Sequence, residues 1–206
     1  MMLRLPFVSV VWLIIFLAVL VWSGIAPKDR ATWVLEVLPA VIGLVLVIWC
    51  WFRYPLSPLL YWLILVHAVI LMVGGHYTYA EVPMFDWFSD WFGWDRNNYD
   101  KLGHFAQGFV PALIARELVV RLSVFAHRGW ASFFIICFCL ALSAFYELIE
   151  WWVALASEQA AEAFLGTQGY VWDTQSDMAW ALSGAILALM LLGRFQDRQI
   201  TRLNGS

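Results

Sequence analysis

Residues 129–155 read GWASFFIICFCLALSAFYELIEWWVAL. From Gly129 to Tyr146 there is no charged side chain. A helix needs about 20 apolar residues to cross a hydrocarbon core ~30 Å thick, and a helix that is apolar on every side must be buried in protein or lipid. The stretch predicts a transmembrane helix over Gly129–Leu155. Its final turns break the pattern with Glu147 and Glu150, acids that a membrane helix carries only at a cost.

Outward from this segment, the same reading predicts five more spans: Phe7–Ile25, Trp33–Trp51, Leu59–Gly75, Leu102–Val120 and Asp177–Leu192. The span over 102–120 is the least apolar, since Arg116 and Glu117 interrupt it and Pro111 should kink it. Phe7–Ile25 superficially resembles a signal peptide behind Arg4. It is long enough to span, however, and Ala26-Pro27-Lys28 is a poor cleavage site, so a retained first helix is expected. The predicted fold is all-α: one polytopic membrane bundle over residues 1–206, with about six transmembrane helices and no internal repeat.

Composition agrees. Of 206 residues, 63% are hydrophobic and 13% charged, against about 45–50% and about 25% in soluble domains. The formal net charge of −3 excludes a broad basic surface, so nucleic acid is not an expected partner; membrane lipids are. Oligomeric state is not legible. Cys50, Cys137 and Cys139 lie in apolar runs without CxxC spacing and read as small buried apolar residues rather than as disulfide or zinc ligands.

Lys and Arg set the orientation. With the N-terminus inside, Arg4, Arg53, Arg116, Arg121, Arg128, Arg194, Arg198 and Arg202 fall on one side. Lys28, Arg30, Arg96 and Lys101 fall on the other. Both termini are therefore expected in the cytoplasm. Two longer segments then lie outside. In 81–100, Trp87, Trp91 and Trp94 recur at i, i+4 and i+7, which predicts an extracytoplasmic interfacial segment with an aromatic face. Ala156–Trp172 reads as a short helix and a turn, with Gly166-Thr167-Gln168-Gly169 as the turn rather than a phosphate cradle.

The polar residues of the spans gather at this outer end. The third span leaves through GGHYTY (74–79), the fourth enters through DKLGH (100–104), the fifth carries Glu147 and Glu150, and the sixth enters through WDTQSD (172–177). Asp100 with His104, and Asp173 with Asp177, are i, i+4 pairs; His104 with Gln107, and Glu147 with Glu150, are i, i+3 pairs. Each pair shares a helix face. Glu147 lies roughly 10 Å inside its helix end.

Carboxylates so close and so poorly solvated need neutralising. Three neutralisers fit. A divalent metal, with zinc, manganese or iron suited to mixed N/O ligands, would use His104 with Glu147, Glu150, Asp173 or Asp177, the set His104, Glu147 and Asp177 being the one expected of an enzyme. Protonation would make His104 and Glu147 a proton relay. Lys101, Arg96 or a lipid ammonium group would complete a structural ion-pair network. His76, Tyr77, Tyr79, Asp100, Lys101, Gln107, Gln168 and Gln175 are candidate pocket-lining residues. Away from the cluster, Glu36 is expected to face a cavity or pair with Arg30. His67 should hydrogen-bond to a neighbouring helix, and His127 should be solvated in a cytoplasmic turn.

These motifs carry a resemblance. GGHYTYAEVP (74–83), NNYDKLGHFAQGFVPA (97–112), AFYELIEWW (144–152) and GTQGYVWDTQSDM (166–178) resemble the YjdF family of bacterial inner-membrane proteins, over nearly the whole chain. That resemblance implies a multi-pass inner-membrane location and brings no chemistry with it. A more distant likeness is to VanZ-like membrane proteins, whose pattern is Asp-Lys-x-x-His-Phe, then Glu-x-x-Gln, then Asp followed by Asn and Gly. Asp100 to Phe105 match the first part. Glu150 replaces the Gln, and Ala181 stands at the Asn, ahead of Gly184.

Three functions compete at this stage. One is a membrane hydrolase of a lipid or envelope precursor, in which a metal activates water and Glu150 or Asp173 acts as general base; no Ser sits in a triad-like setting. The second is a non-enzymatic protein that binds or transports a cation or an amine-bearing lipid. The third is a purely structural role for the polar cluster.

Overall fold

The computed structural model describes residues 7–156 and 168–204. Among them are seven α-helices: α1 (Phe7–Gly24), α2 (Arg30–Arg53), α3 (Pro58–Tyr77), α4 (Pro83–Phe92), α5 (Tyr99–Arg121), α6 (Arg128–Ala156) and α7 (Asp173–Asn204), with one 3₁₀ turn at Tyr79–Glu81. The chain is an all-α membrane bundle. Four helices, α2, α3, α6 and α7, are long and apolar enough to cross a membrane. α1 is apolar but shorter. α5 has the length, yet it carries Asp100, Lys101, His104, Arg116, Glu117 and Arg121. It continues through Pro111 as one helix.

Local chemistry sets the helix ends. The Asp29 carboxylate caps α2 by accepting from the Thr32 N–H at 2.7 Å, and that bond holds its pKa below the usual carboxylate value. Pro58 and Pro83 open α3 and α4 at positions where a missing N–H costs nothing. Gly93, at φ +68°, closes α4 in the left-handed conformation. α4 is thus a helix, as the aromatic spacing predicts, but it stops before Trp94. The third tryptophan lies past the turn, its ring 5.1 Å from that of Phe92.

Two apolar cores hold the bundle. Trp12, Phe16, Val37, Val47, Leu65 and Met72 join α1, α2 and α3. Leu60, Leu113, Ile135, Cys139, Ala185 and Ala188 join α3, α5, α6 and α7. α5 is central because it meets α3, α6 and α7. Its approach to α7 is the closest: a Cβ at Gly108 would run into the Ala181 carbonyl, and a Cβ at Gly184 into that of Phe105. Membrane helices associate through such small-residue seams, since lipid gives no hydrophobic drive between them. The outward faces remain apolar, with Val21, Val45, Trp49, Phe133 and Met190 exposed. Cys137 also faces outward and Cys50 is half-buried, so of the three cysteines expected to be buried only Cys139 is; lipid supplies the apolar surroundings of Cys137.

α7 runs 32 residues, or ~48 Å, well beyond a hydrocarbon core of ~30 Å. Past the expected end of the span at Leu192 it carries a polar stripe that buries Gln196 and Ile200. There α5 and α7 meet in a network around Glu117, which is fully buried. Glu117 accepts from the Ser57 N–H (2.9 Å), Arg121 (3.1 Å) and Gln196 Nε2 (3.3 Å). Arg116 pairs with Asp197 at 2.7 Å, and Arg121 lies 3.7 Å from the Tyr54 ring centre. Arg116 and Glu117, which weaken the apolar signal of this span, are thereby satisfied in pairs.

Candidate functional site

At the opposite end of α5, about 20 Å from Glu117 by helical rise, the balance is different. The first turns of α5 and α7 and the last turns of α6 bring Asp100, His104, Glu147, Glu150, Asp173 and Asp177 together. His104, Glu147 and Asp177 are 5%, 8% and 3% exposed. His104 Nε2 lies 3.4 Å from Asp100 Oδ1. Its Nδ1 lies 3.1 Å from Gln107 Oε1 and 3.8 Å from Glu147 Oε1.

Two sets of ligand atoms, each set lying within 4.8 Å, share this imidazole: Asp100–His104–Asp177 and His104–Glu147–Glu150. The expected metal set mixes the two, since Glu147 falls in one group and Asp177 in the other. Glu147 Oε1 and Asp177 Oδ1 are buried with no hydrogen-bond partner. Leaving a buried acceptor unpaired costs about 1–3 kcal/mol, and more when it is charged, so the arrangement has capacity for a cation.

The other candidate residues divide. Asp173 is neutralised by Arg96 at 2.5 Å, which removes it as a free general base. Lys101 stands over the Tyr170 ring, 4.8 Å from its centre. Gln107 belongs to the site through His104. Tyr79 does too: its ring lies against Gly74 and Gly103, where a Cβ would come within 2.8 Å at Gly103, and its hydroxyl is buried without a partner.

His76 and Tyr77 do not join the site. His76 Nδ1 bonds the Ser23 carbonyl at 2.9 Å, and its ring packs on Trp22 and Tyr77 at the α1–α3 contact. Gln168 exchanges two bonds with the Asn97 backbone, at 3.0 and 2.9 Å, and so pins a turn. Gln168 and Gly169 both have positive φ, as the turn reading requires; Gly166 and Thr167 lie outside the described residues, as does most of the expected helix and turn over Ala156–Trp172. Gln175 is exposed, two residues from Asp173 and Asp177 and so off their shared face.

Sequence reading missed two members. Glu36 is buried on α2 and accepts from the Tyr146 hydroxyl at 3.0 Å; Arg30, the expected partner, is exposed. The Tyr146 ring stands edge-on to His104, with 6.2 Å between centres. An acid inside an apolar helix was the available signal, but its partner lies 110 residues away. His67 departs from expectation as well, since its Nε2 finds no hydrogen-bond partner. His127 is exposed, as expected of a turn residue.

α4 is tied to this end of the bundle. Asn97 Nδ2 donates to Asp86 (2.6 Å) and to the Val82 carbonyl (3.0 Å), while Ser89 Oγ donates to the Arg96 carbonyl (2.7 Å). Lys28 pairs with Glu81. Trp87, Trp91 and Phe92 point away from the protein.

The inner membrane protein YjdF of Escherichia coli (strain K12) is 54% identical to this chain over 184 residues, covering 89% of this chain and 88% of that protein. The motif-level resemblance to the YjdF family is thus met along the chain, and the likeness to VanZ-like proteins gains no support beyond its short motifs. No solved structure matches. With its apolar helices, the chain is a multi-pass protein of a bacterial inner membrane. The family model described as "Predicted membrane protein (DUF2238)" matches residues 8–198, and the chain belongs to that family.

Proposed function

We propose that this protein binds one divalent cation in the His104 cluster at the outer leaflet and uses it to hydrolyse a lipid or envelope precursor. The observation that carries the reading is the contrast between the two ends of α5. Glu117 has Arg121 and two further donors, so both oxygens of its carboxylate are satisfied from within the protein. At the His104 end, Glu147 Oε1 and Asp177 Oδ1 are buried without hydrogen bonds. Zinc, manganese and iron suit such an imidazole–carboxylate set.

The cation would lower the pKa of a water and polarise the scissile group. Glu150 is the carboxylate placed to take that water's proton. The water oxygen then bonds to the acyl or phosphoryl centre, the bond to the leaving oxygen breaks, and that oxygen takes up the proton. Asp173 holds Arg96 in this scheme. One observation favours a structural role for that part of the cluster: the Arg96–Asp173 pair forms without a ligand.

The reading places the cluster outside and both termini in the cytoplasm, with α1, α2, α3, α5, α6 and α7 as six spans. The segment 81–100 then lies in the outer interface, with Trp87 and Trp91 among lipid headgroups. Replacing both by Phe is expected to lower the fluorescence quenched by lipids brominated near the headgroup, to which Trp94, Trp151, Trp152 and Trp172, also exposed, contribute the remainder. Unchanged quenching would contradict that placement.

The test of hydrolysis is headgroup or phosphate release from an inner-membrane lipid extract by the purified protein. Release should stop with chelator and return with zinc or manganese. In Glu150→Gln it should fall by about 100-fold or more, as expected for loss of a general base. Chelator-insensitive release, or full release by Glu150→Gln, would sink the scheme.

A further inference from the structure

The two ligand groups need not be equivalent, because one imidazole cannot offer both nitrogens as lone pairs while neutral. Gln107 bears on which nitrogen is free. Its Oε1, 3.1 Å from His104 Nδ1, accepts from the tautomer that carries its proton on Nδ1. Nε2 is then the nitrogen with the lone pair, and Nε2 is the one facing Asp100, 3.4 Å away. Asp177, 3% exposed and with Oδ1 unpartnered, lies in the same group. A carbonyl acceptor on the far ring nitrogen is the usual outer-shell support of a metal-binding histidine.

We infer that the cation sits on the Nε2 face of His104, held by Asp100 and Asp177, with Gln107 as the positioning residue and Glu147 and Glu150 outside the ligand set. This rests on the cation-binding reading and refines it. It replaces the ligand Glu147, which the sequence pattern favours, with Asp100. The glycines of the motif fit this division: Gly103 makes room for the Tyr79 ring beside the Asp100–His104 turn, and Gly75 lets α3 approach Glu36, where an added Cβ would stand 3.1 Å from its Cβ.

The experiment is zinc content per chain in the full-length protein, purified in mild detergent and reloaded with zinc. The variants are Asp100→Asn, Asp177→Asn, Glu147→Gln, Glu150→Gln and Gln107→Leu, each checked for monodisperse elution. Asp100→Asn and Asp177→Asn should lose the zinc. Glu147→Gln and Glu150→Gln should keep it. Gln107→Leu should weaken affinity by about 10–100-fold, the usual effect of removing an outer-shell partner. Zinc lost from Glu147→Gln and Glu150→Gln but kept by Asp100→Asn would put the cation on the Nδ1 face and overturn the inference, leaving cation binding intact. A wild type that takes up no zinc, manganese or iron would overturn both.

Should the Asp variants fail to fold, nitrogen NMR of histidine-labelled, zinc-loaded wild type decides the same question. His104, assigned by its loss in His104→Ala, should carry its proton on Nδ1. A proton on Nε2 would contradict the assignment.

Discussion

Gly184→Leu is expected to yield no monodisperse membrane protein. At this position α7 meets α5 backbone to backbone: an added Cβ would run into the Phe105 carbonyl and reach within about 3.0 Å of the Phe109 nitrogen. Overpacking a side-chain core typically costs 1–3 kcal/mol, but here neither obstacle is a side chain that can rotate away. The helices must separate, and with them the seam of Ala181, Ala185 and Ala188, all fully buried. Gly108→Leu should fail for the same reason, against the Ala181 carbonyl. Gly43→Leu is the control, since nothing lies within 4 Å of its added Cβ. Size-exclusion profiles in mild detergent separate these outcomes, and a sharp wild-type-like peak from Gly184→Leu would mean that the α5–α7 crossing is wrong.

The second large effect belongs to Glu117→Ala. It strips Arg121 of its carboxylate and leaves the Ser57 N–H and Gln196 Nε2 without that acceptor, at a site fully closed to solvent. Breaking a buried pair from one side costs about 3–5 kcal/mol. Asp197→Ala removes a partly exposed partner of Arg116, which keeps its bond to Gln196, and should cost about 0–1 kcal/mol. Detergent-denaturation midpoints should therefore drop strongly for the first variant and barely for the second. Equal midpoints would show that the Glu117 network does not hold this end of the bundle.

Four of the expected spans, now α2, α3, α6 and α7, were legible because lipid imposes a simple rule, a long apolar run for each crossing. α5 is the exception that shows the rule's limit. Its end carries Arg116, Glu117 and Arg121, whose partners Ser57, Gln196 and Asp197 come from α3 and α7, far away in the chain. Much of the His104 cluster was also legible, since i, i+3 and i, i+4 spacing places pairs on one face within each helix. Spacing cannot say how the faces of different helices meet. It gave Glu147 and Asp177 to one metal, whereas the two fall into separate ligand groups that share His104.

Local context misled at His76. Two glycines and three hydroxyl-bearing neighbours looked like a site lining, but Gly74 and Gly75 make room for Tyr79 and Glu36, while His76 turns to the Ser23 carbonyl. Glu36 and Tyr146 pair across helices, a contact set by packing alone.

The most direct test of cation binding is elemental mass spectrometry of the wild type, purified in mild detergent without chelator, beside His104→Ala. A site with one imidazole and two carboxylates predicts about one equivalent of zinc, manganese or iron per chain, and background levels in the variant. A folded wild type at background, or a variant that keeps the metal, would contradict the account and leave a cluster that only fixes helix packing.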